Sequence, residues 1–208
     1  MNNPLQILKE GFNSILLTGL VAAVLFLLVS LLFPLRYQAD SQVIVITKGE
    51  KGLDAYTAMR SAKKIGENLA NIVETNDFFA KVTSNLDDSK LSKQFSGLSE
   101  RERRKLWRES VDASLNYGTG MLTVSTYHVE PKQAKKMNKE VLEVLLNQTS
   151  NYIGQKVNLK VVNPPLVSEY PTKPNLIINT IAGFFVGIVV SFGYLWYKKK
   201  QEHHFWFG

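Results

Sequence analysis

The chain has 208 residues, a formal net charge of +7, 45% hydrophobic residues and no cysteine. That apolar share is too high for a disordered tail, and the absence of cysteine excludes a disulfide scaffold or a thiolate metal centre. Between Arg36 and Pro174 the 21 basic residues are interspersed with 16 acidic ones, so the surplus reads as a solvated surface and no nucleic-acid partner is expected.

Two uncharged apolar runs bracket the chain, Ile15–Phe33 and Leu176–Tyr197. At about 1.5 Å per residue they reach roughly 28 and 33 Å as helices, against a hydrocarbon core of about 30 Å. Both are read as transmembrane helices, at 15–33 and 176–197. Lys198, Lys199 and Lys200 follow the second run at once, and an excess of lysine marks the cytoplasmic side. The expected layout is a cytoplasmic N-terminus at 1–14, an extracytoplasmic region at 34–175 and a cytoplasmic tail at 198–208. The first run exceeds the core of a cleaved signal, and no A-x-A-like site follows Phe33, so an uncleaved anchor is expected.

The region between the runs reads as an α+β fold, a mixed sheet with packed helices. Tyr37–Thr47 is a strand, with Val43 and Val45 on one face and Ile44 and Ile46 on the other, both faces buried at its end. Lys48-Gly49-Glu50-Lys51-Gly52 is a turn. From Asp54, apolar residues at Ala58, Ala62, Ile65, Leu69 and Ile72 recur at helical spacing to about Glu74. Thr75 caps a shorter helix carrying Phe78, Phe79 and Val82, and 85–97 is a loop with a short helix. Ser99 and Glu102 form a capping box for a helix through Glu109.

Ser110–Asn116 and Met121–His128 are strands around a Gly118-Thr119-Gly120 turn. Pro131 opens a long helix with a stripe of Ala134, Met137, Val141, Val144, Leu145 and Tyr152, closed by Gly154. Val157, Leu159 and Val161 alternate in a last strand that Asn163-Pro164-Pro165 should stop. Neighbouring first and last strands would bring the two spans together.

Three segments carry a family resemblance. They are Leu32-Phe33-Pro34-Leu35-Arg36-Tyr37-Gln38-Ala39-Asp40-Ser41 leaving the first span, Val129-Glu130-Pro131-Lys132-Gln133-Ala134 between strand and helix, and the proline-rich connector from Asn163 to Pro174. Together with the two spans they resemble the chain-length determinant family, the Wzz-type polysaccharide co-polymerases and the related membrane modulators of bacterial tyrosine kinases. The resemblance covers nearly the whole chain in order. Pro165 and Pro171 are spaced more loosely than the family's cadence, and the region between the spans is shorter than in members that build tall barrels. The resemblance implies a homo-oligomer of the bacterial cytoplasmic (inner) membrane. It also implies a polysaccharide polymerase and a lipid-linked glycan as partners, or a separate cytoplasmic tyrosine kinase.

Pro164, Pro165, Pro171 and Pro174 form the connector motif, stiff because proline holds itself and its predecessor extended. Gly183, Gly187 and Ser191 recur at every fourth position of the second run, a row that lets helices approach closely, and Gly19 with Ala23 make a weaker pair in the first. Arg104, Trp107 and Arg108 stand in a mixed-charge helix. They read either as a solvated face with a packed tryptophan or as a contact for glycan or partner. Phe205, Trp206 and Phe207 either rest among lipid headgroups or dock a cytoplasmic partner. His203-His204 is an incomplete metal set, no catalytic motif stands out, and neither metal, cofactor nor enzymatic activity is expected. The alternative outside this family is an extracytoplasmic sensor.

Overall fold

A computed structural model describes residues 4–47, 55–86, 89–117, 119–154 and 157–205. The turn at Lys48-Gly49-Glu50-Lys51-Gly52, the helix start at Asp54 and Gly118 of the hairpin turn lie outside the described residues. Two compact units divide the chain: Met1–Leu35 with Lys173–Gly208, and Arg36–Thr172.

The first unit is a pair of helices, α1 (Pro4–Leu31) and α7 (Leu176–Phe205). Both extend beyond the apolar runs at their outer ends. Each contains a stretch long and apolar enough to cross a membrane, Gly11–Leu31 and Leu176–Lys199. The helices are antiparallel, because contacts climbing α1 from Gly11 to Ser30 descend α7 from Leu195 to Asn179.

The second unit is an α+β fold. In chain order it comprises β1 (Tyr37–Thr47), α2 (Ala55–Val73), α3 (Asn76–Asn85), α4 (Ser89–Lys93), α5 (Glu100–Ser110), β2 (Val111–Asn116), β3 (Met121–His128), α6 (Pro131–Ile153) and β4 (Val157–Val167). Local signals place the ends. Thr75 accepts from the Phe78 amide, Ser99 and Glu102 form the reciprocal capping box of α5, and Gly154 ends α6 at φ 72°. In the β2–β3 turn Gly120, at φ 68°, donates its amide to the Asn116 carbonyl at 2.8 Å.

The strands lie in the order β2-β3-β1-β4, and every neighbouring pair is antiparallel. The expected mixed sheet is therefore corrected. The helical connections do join strands that run the same way, β1 to β2 and β3 to β4. In each case another strand is inserted between them, so no parallel pair forms. Two split βαβ units interlock in this way.

Among the described residues, the core helices pack on one face. Val43 and Val45 of β1 and Leu122 and Val124 of β3 pack against Leu69 and Val73 of α2 and Met137, Val141 and Leu145 of α6 in one core. The other face is covered unevenly: Ser125 and Tyr127 of β3 are buried there, but Ile44 is half-buried and Ile46 is 42% exposed, which corrects the expectation that the end of β1 is buried on both sides. A second correction concerns Pro164 and Pro165, which do not stop the last strand. β4 runs on to Val167 and pairs with β1 on both sides of them, Asn163 opposite Gln42 and Leu166 opposite Asp40, with register shifts between. An edge strand tolerates proline because half of its amides face away from the ladder, and bulges absorb the irregularity.

Candidate functional site

The seam between α1 and α7 is a close helix approach, and its geometry follows from residues without bulk. A Cβ built on Gly187 would lie 2.8 Å from the Gly19 Cα and 2.7 Å from the Ala22 Cβ. One built on Gly183 would lie 2.6 Å from the Phe26 Cβ. Neither position has room for a side chain, so both glycines face α1, and Ser191 is buried along the same row. Gly193, off this row, has nothing near its Cβ direction. Near the end of the pair where the chain leaves it, Asn179 Nδ2 donates to Ser30 Oγ at 2.9 Å, and Ser30 Oγ donates to the Phe26 carbonyl at 2.8 Å. Sequence reading missed this polar clasp, although Asn179 is the only amide side chain in the second apolar run and Ser30 the only serine in the first.

Outside the seam, both helices present large apolar side chains to the surroundings. Leu17, Leu20 and Leu25 of α1 and Ile177, Phe185 and Val189 of α7 are all exposed by half or more. A core helix of a soluble protein would bury such residues.

Within the second unit, the chain's entry and exit are held side by side. Thr172 donates its amide to the Arg36 carbonyl at 2.8 Å, and Ser168 donates to the Gln38 carbonyl at 2.8 Å. The connector prolines are thus split between environments: Pro164 and Pro165 belong to β4, Pro171 lies just before Thr172, and Pro174 lies in the first unit. Arg36 also reaches across to α5, with its guanidinium 3.5 Å from the Glu109 carboxylate.

The α5 residues part company. Arg104 is exposed and pairs with Glu100 one turn earlier, and Arg108 is exposed. Trp107 is only 1% exposed, so a sugar cannot stack on it, and the glycan-contact reading of this residue is corrected. Its Nε1 donates to the Val73 carbonyl at 2.9 Å, and its ring meets Phe79 and Phe95 edge-on at 5.1 and 6.2 Å. This charge-rich helix carries two apolar residues, and both meet the core, Trp107 fully buried and Leu106 half-buried. Trp206 and Phe207 lie outside the described residues; Phe205 is the last residue of α7.

Two polar groups in the second unit were not foreseen. Asn138 is fully buried on α6, and its Nδ2 donates to the carbonyls of Ala39 at 2.8 Å and Val124 at 2.9 Å, tying the helix to both central strands. It falls at helical spacing with Ala134, Val141 and Leu145, and an asparagine on that apolar stripe is a visible signal. The second is a surface triad. Lys81 donates to Asp77 at 2.8 Å and to the Tyr152 hydroxyl at 2.9 Å, and that hydroxyl donates to the same Asp77 oxygen. The Lys81 and Tyr152 hydrogen bonds lower the Asp77 pKa, the carboxylate raises that of Lys81, and partial burial raises that of Tyr152. His128, at the end of β3, accepts a hydrogen bond at Nδ1 from the Glu130 amide at 2.9 Å. Burial pushes its pKa down. Among the described residues no cluster of His, Asp and Glu could hold a metal ion.

No family model matches the chain, and no curated protein matches its sequence.

Proposed function

We propose that this protein is a non-enzymatic scaffold of the bacterial cytoplasmic membrane, of the chain-length determinant type. In this reading it assembles with copies of itself and regulates the polymerisation or export of a surface polysaccharide. The observation that carries the reading is the helix pair, tight and small-residued inside and bulky and apolar outside. That distribution suits a solvent of lipid, where close backbone packing holds helices together and apolar side chains need no burial in protein. The lysines at 198–200 favour cytoplasmic termini, which supports an α+β unit on the outer side, where a growing lipid-linked glycan and its polymerase would be met. The chain-order resemblance supplies the polysaccharide.

Deleting the gene in the source bacterium should change the length distribution of a surface polysaccharide on a gel, and the full chain supplied in trans should restore it. Mass photometry of the protein in native nanodiscs should show several subunits. An unchanged glycan ladder together with a monomer would rule the scaffold out. If instead removal of Glu202–Gly208 abolished autophosphorylation of a cytoplasmic tyrosine kinase and left the ladder intact, the protein would be a kinase modulator.

A further inference from the structure

A cleft of about 460 Å³ lies between α2 and the C-terminal end of α6, within the second unit. Its floor is apolar, built from Ile65, Ile72 and Ile153, and its rim carries Ser61, Lys64, Asn68, Asn71 and Tyr152. The rim residues of α2 recur at steps of three and four, so they form one row along the helix. From Ser61 to Asn71 that row is roughly 15 Å long at 1.5 Å per residue.

The lining chemistry is selective. Asn68 and Asn71 each offer both donors and an acceptor, and Ser61 offers both in one hydroxyl, which matches groups that themselves both donate and accept. A phosphate or carboxylate ligand would call for several cations. The rim has one, Lys64, and Glu67 lies 4.0 Å from it. A peptide strand would need free backbone donors and acceptors, but both walls are helices whose interior backbone groups are already bonded. A hydrocarbon ligand would strand the amides without partners.

Tyr152 is held in place at the rim. Its hydroxyl is fixed by Asp77 and Lys81, the Lys81 ammonium sits 4.3 Å from its ring centroid, and Phe78 packs 6.3 Å away. A fixed aromatic body beside a row of amides over an aliphatic floor fits a chain of sugar rings, which have apolar faces and hydroxyl edges.

We propose that the α2–α6 cleft binds an oligosaccharide segment, with Asn68 and Asn71 bonding its hydroxyls and Tyr152 packing against a ring. The affinity for sugar hydroxyls stands on the lining alone; that the sugar belongs to the polymer under regulation rests on the scaffold reading.

The test places a photo-crosslinking amino acid at Asn68 in the full-length protein in its native membrane, with the same probe at Ser114 on β2, an exposed position facing away from the core, as control. Irradiation should give a heterogeneous, periodate-stained adduct at 68 that chemical deglycosylation collapses, and none at 114. Adding Asn71→Leu should abolish the adduct without shifting the melting temperature, since Asn71 is exposed. No adduct, equal adducts at both positions, or a sharp adduct containing a second protein would overturn the proposal. The N68L/N71L double variant separates the two readings. If gene deletion alters the glycan ladder and the double variant does not, the cleft assignment fails and the scaffold stands. If the saccharide adduct forms while deletion leaves the ladder unchanged, the cleft stands and the scaffold fails.

Discussion

Trp107 shows what one side chain contributes to the second unit. It fills the space between α3 and the segment carrying Phe95, and it satisfies the Val73 carbonyl at the end of α2. Trp107→Ala should destabilise the unit by about 3–5 kcal/mol, the range for emptying a buried aromatic site, read as a lowered midpoint in chemical denaturation followed by circular dichroism. The neighbouring Arg108→Ala, exposed, should stay within about 0.5 kcal/mol of the parent.

His128 governs a pH response of the same unit. Its Nδ1 can accept the Glu130 amide only while unprotonated, and burial holds its folded-state pKa below the unfolded value of about 6.5. The folded state therefore binds fewer protons than the unfolded one as the pH falls. The histidine's contribution is intact above about pH 6.5 and is lost on acidification through the folded pKa. Melting curves of the full chain in nanodiscs should show a drop in Tm over that window. His128→Asn, which keeps an acceptor without the titration, should flatten it. A drop of equal size in the variant would show that carboxylates set the acid response.

Single elements explain where local sequence rules hold and where they yield. The capping box starts α5 and the αL glycine ends α6 as expected because their hydrogen bonds close within a few residues. Proline in a strand is different, since its effect depends on whether the amide it lacks would have faced a partner. Among the described residues β4 pairs with β1 on one side and with no strand on the other, so Pro164 and Pro165 fit within it.

The α1–α7 seam makes a sharp comparison possible between two glycines of one helix. Gly187→Leu meets the backbone of α1 directly and should weaken the helix pair by about 1–3 kcal/mol, the usual cost of overpacking. Gly193→Leu, with open space at its Cβ, should not. Cysteines introduced at facing positions, in a protein with none of its own, would report the difference as lost disulfide crosslinking for the first variant only.

For the whole molecule, the decisive prediction concerns sidedness. A single cysteine at Ser114 should react with a membrane-impermeant maleimide on spheroplasts, while one at Lys199 should react only after the membrane is broken. The reverse pattern would place the α+β unit in the cytoplasm and remove any route to a surface glycan. The absence of native cysteine makes the readout free of background.

The apolar runs, the helix caps and the alternating strands were all legible in the chain, because each depends on groups close in sequence: a period of 3.6 or 2, a side chain bonding an amide three residues on, a glycine at positive φ. The candidate cleft was not legible, since α2 and the end of α6 lie some 80 residues apart and only packing on a shared sheet brings Asn68 and Tyr152 to one rim. Strand order was equally hidden. An alternating order of helices and strands permits parallel or antiparallel neighbours, and the choice falls to how β1 inserts between β3 and β4. The core helices gather on one side of the sheet, and at the end of β1 Ile46 points to the other side and is exposed where its hydrophobicity alone argued for burial. Trp107 inverts that lesson: surrounded in sequence by charge, it is buried because Phe79 and Phe95, distant in the chain, close over it, and Arg103, one turn earlier on the same side of the helix, lays its guanidinium over the Phe79 ring.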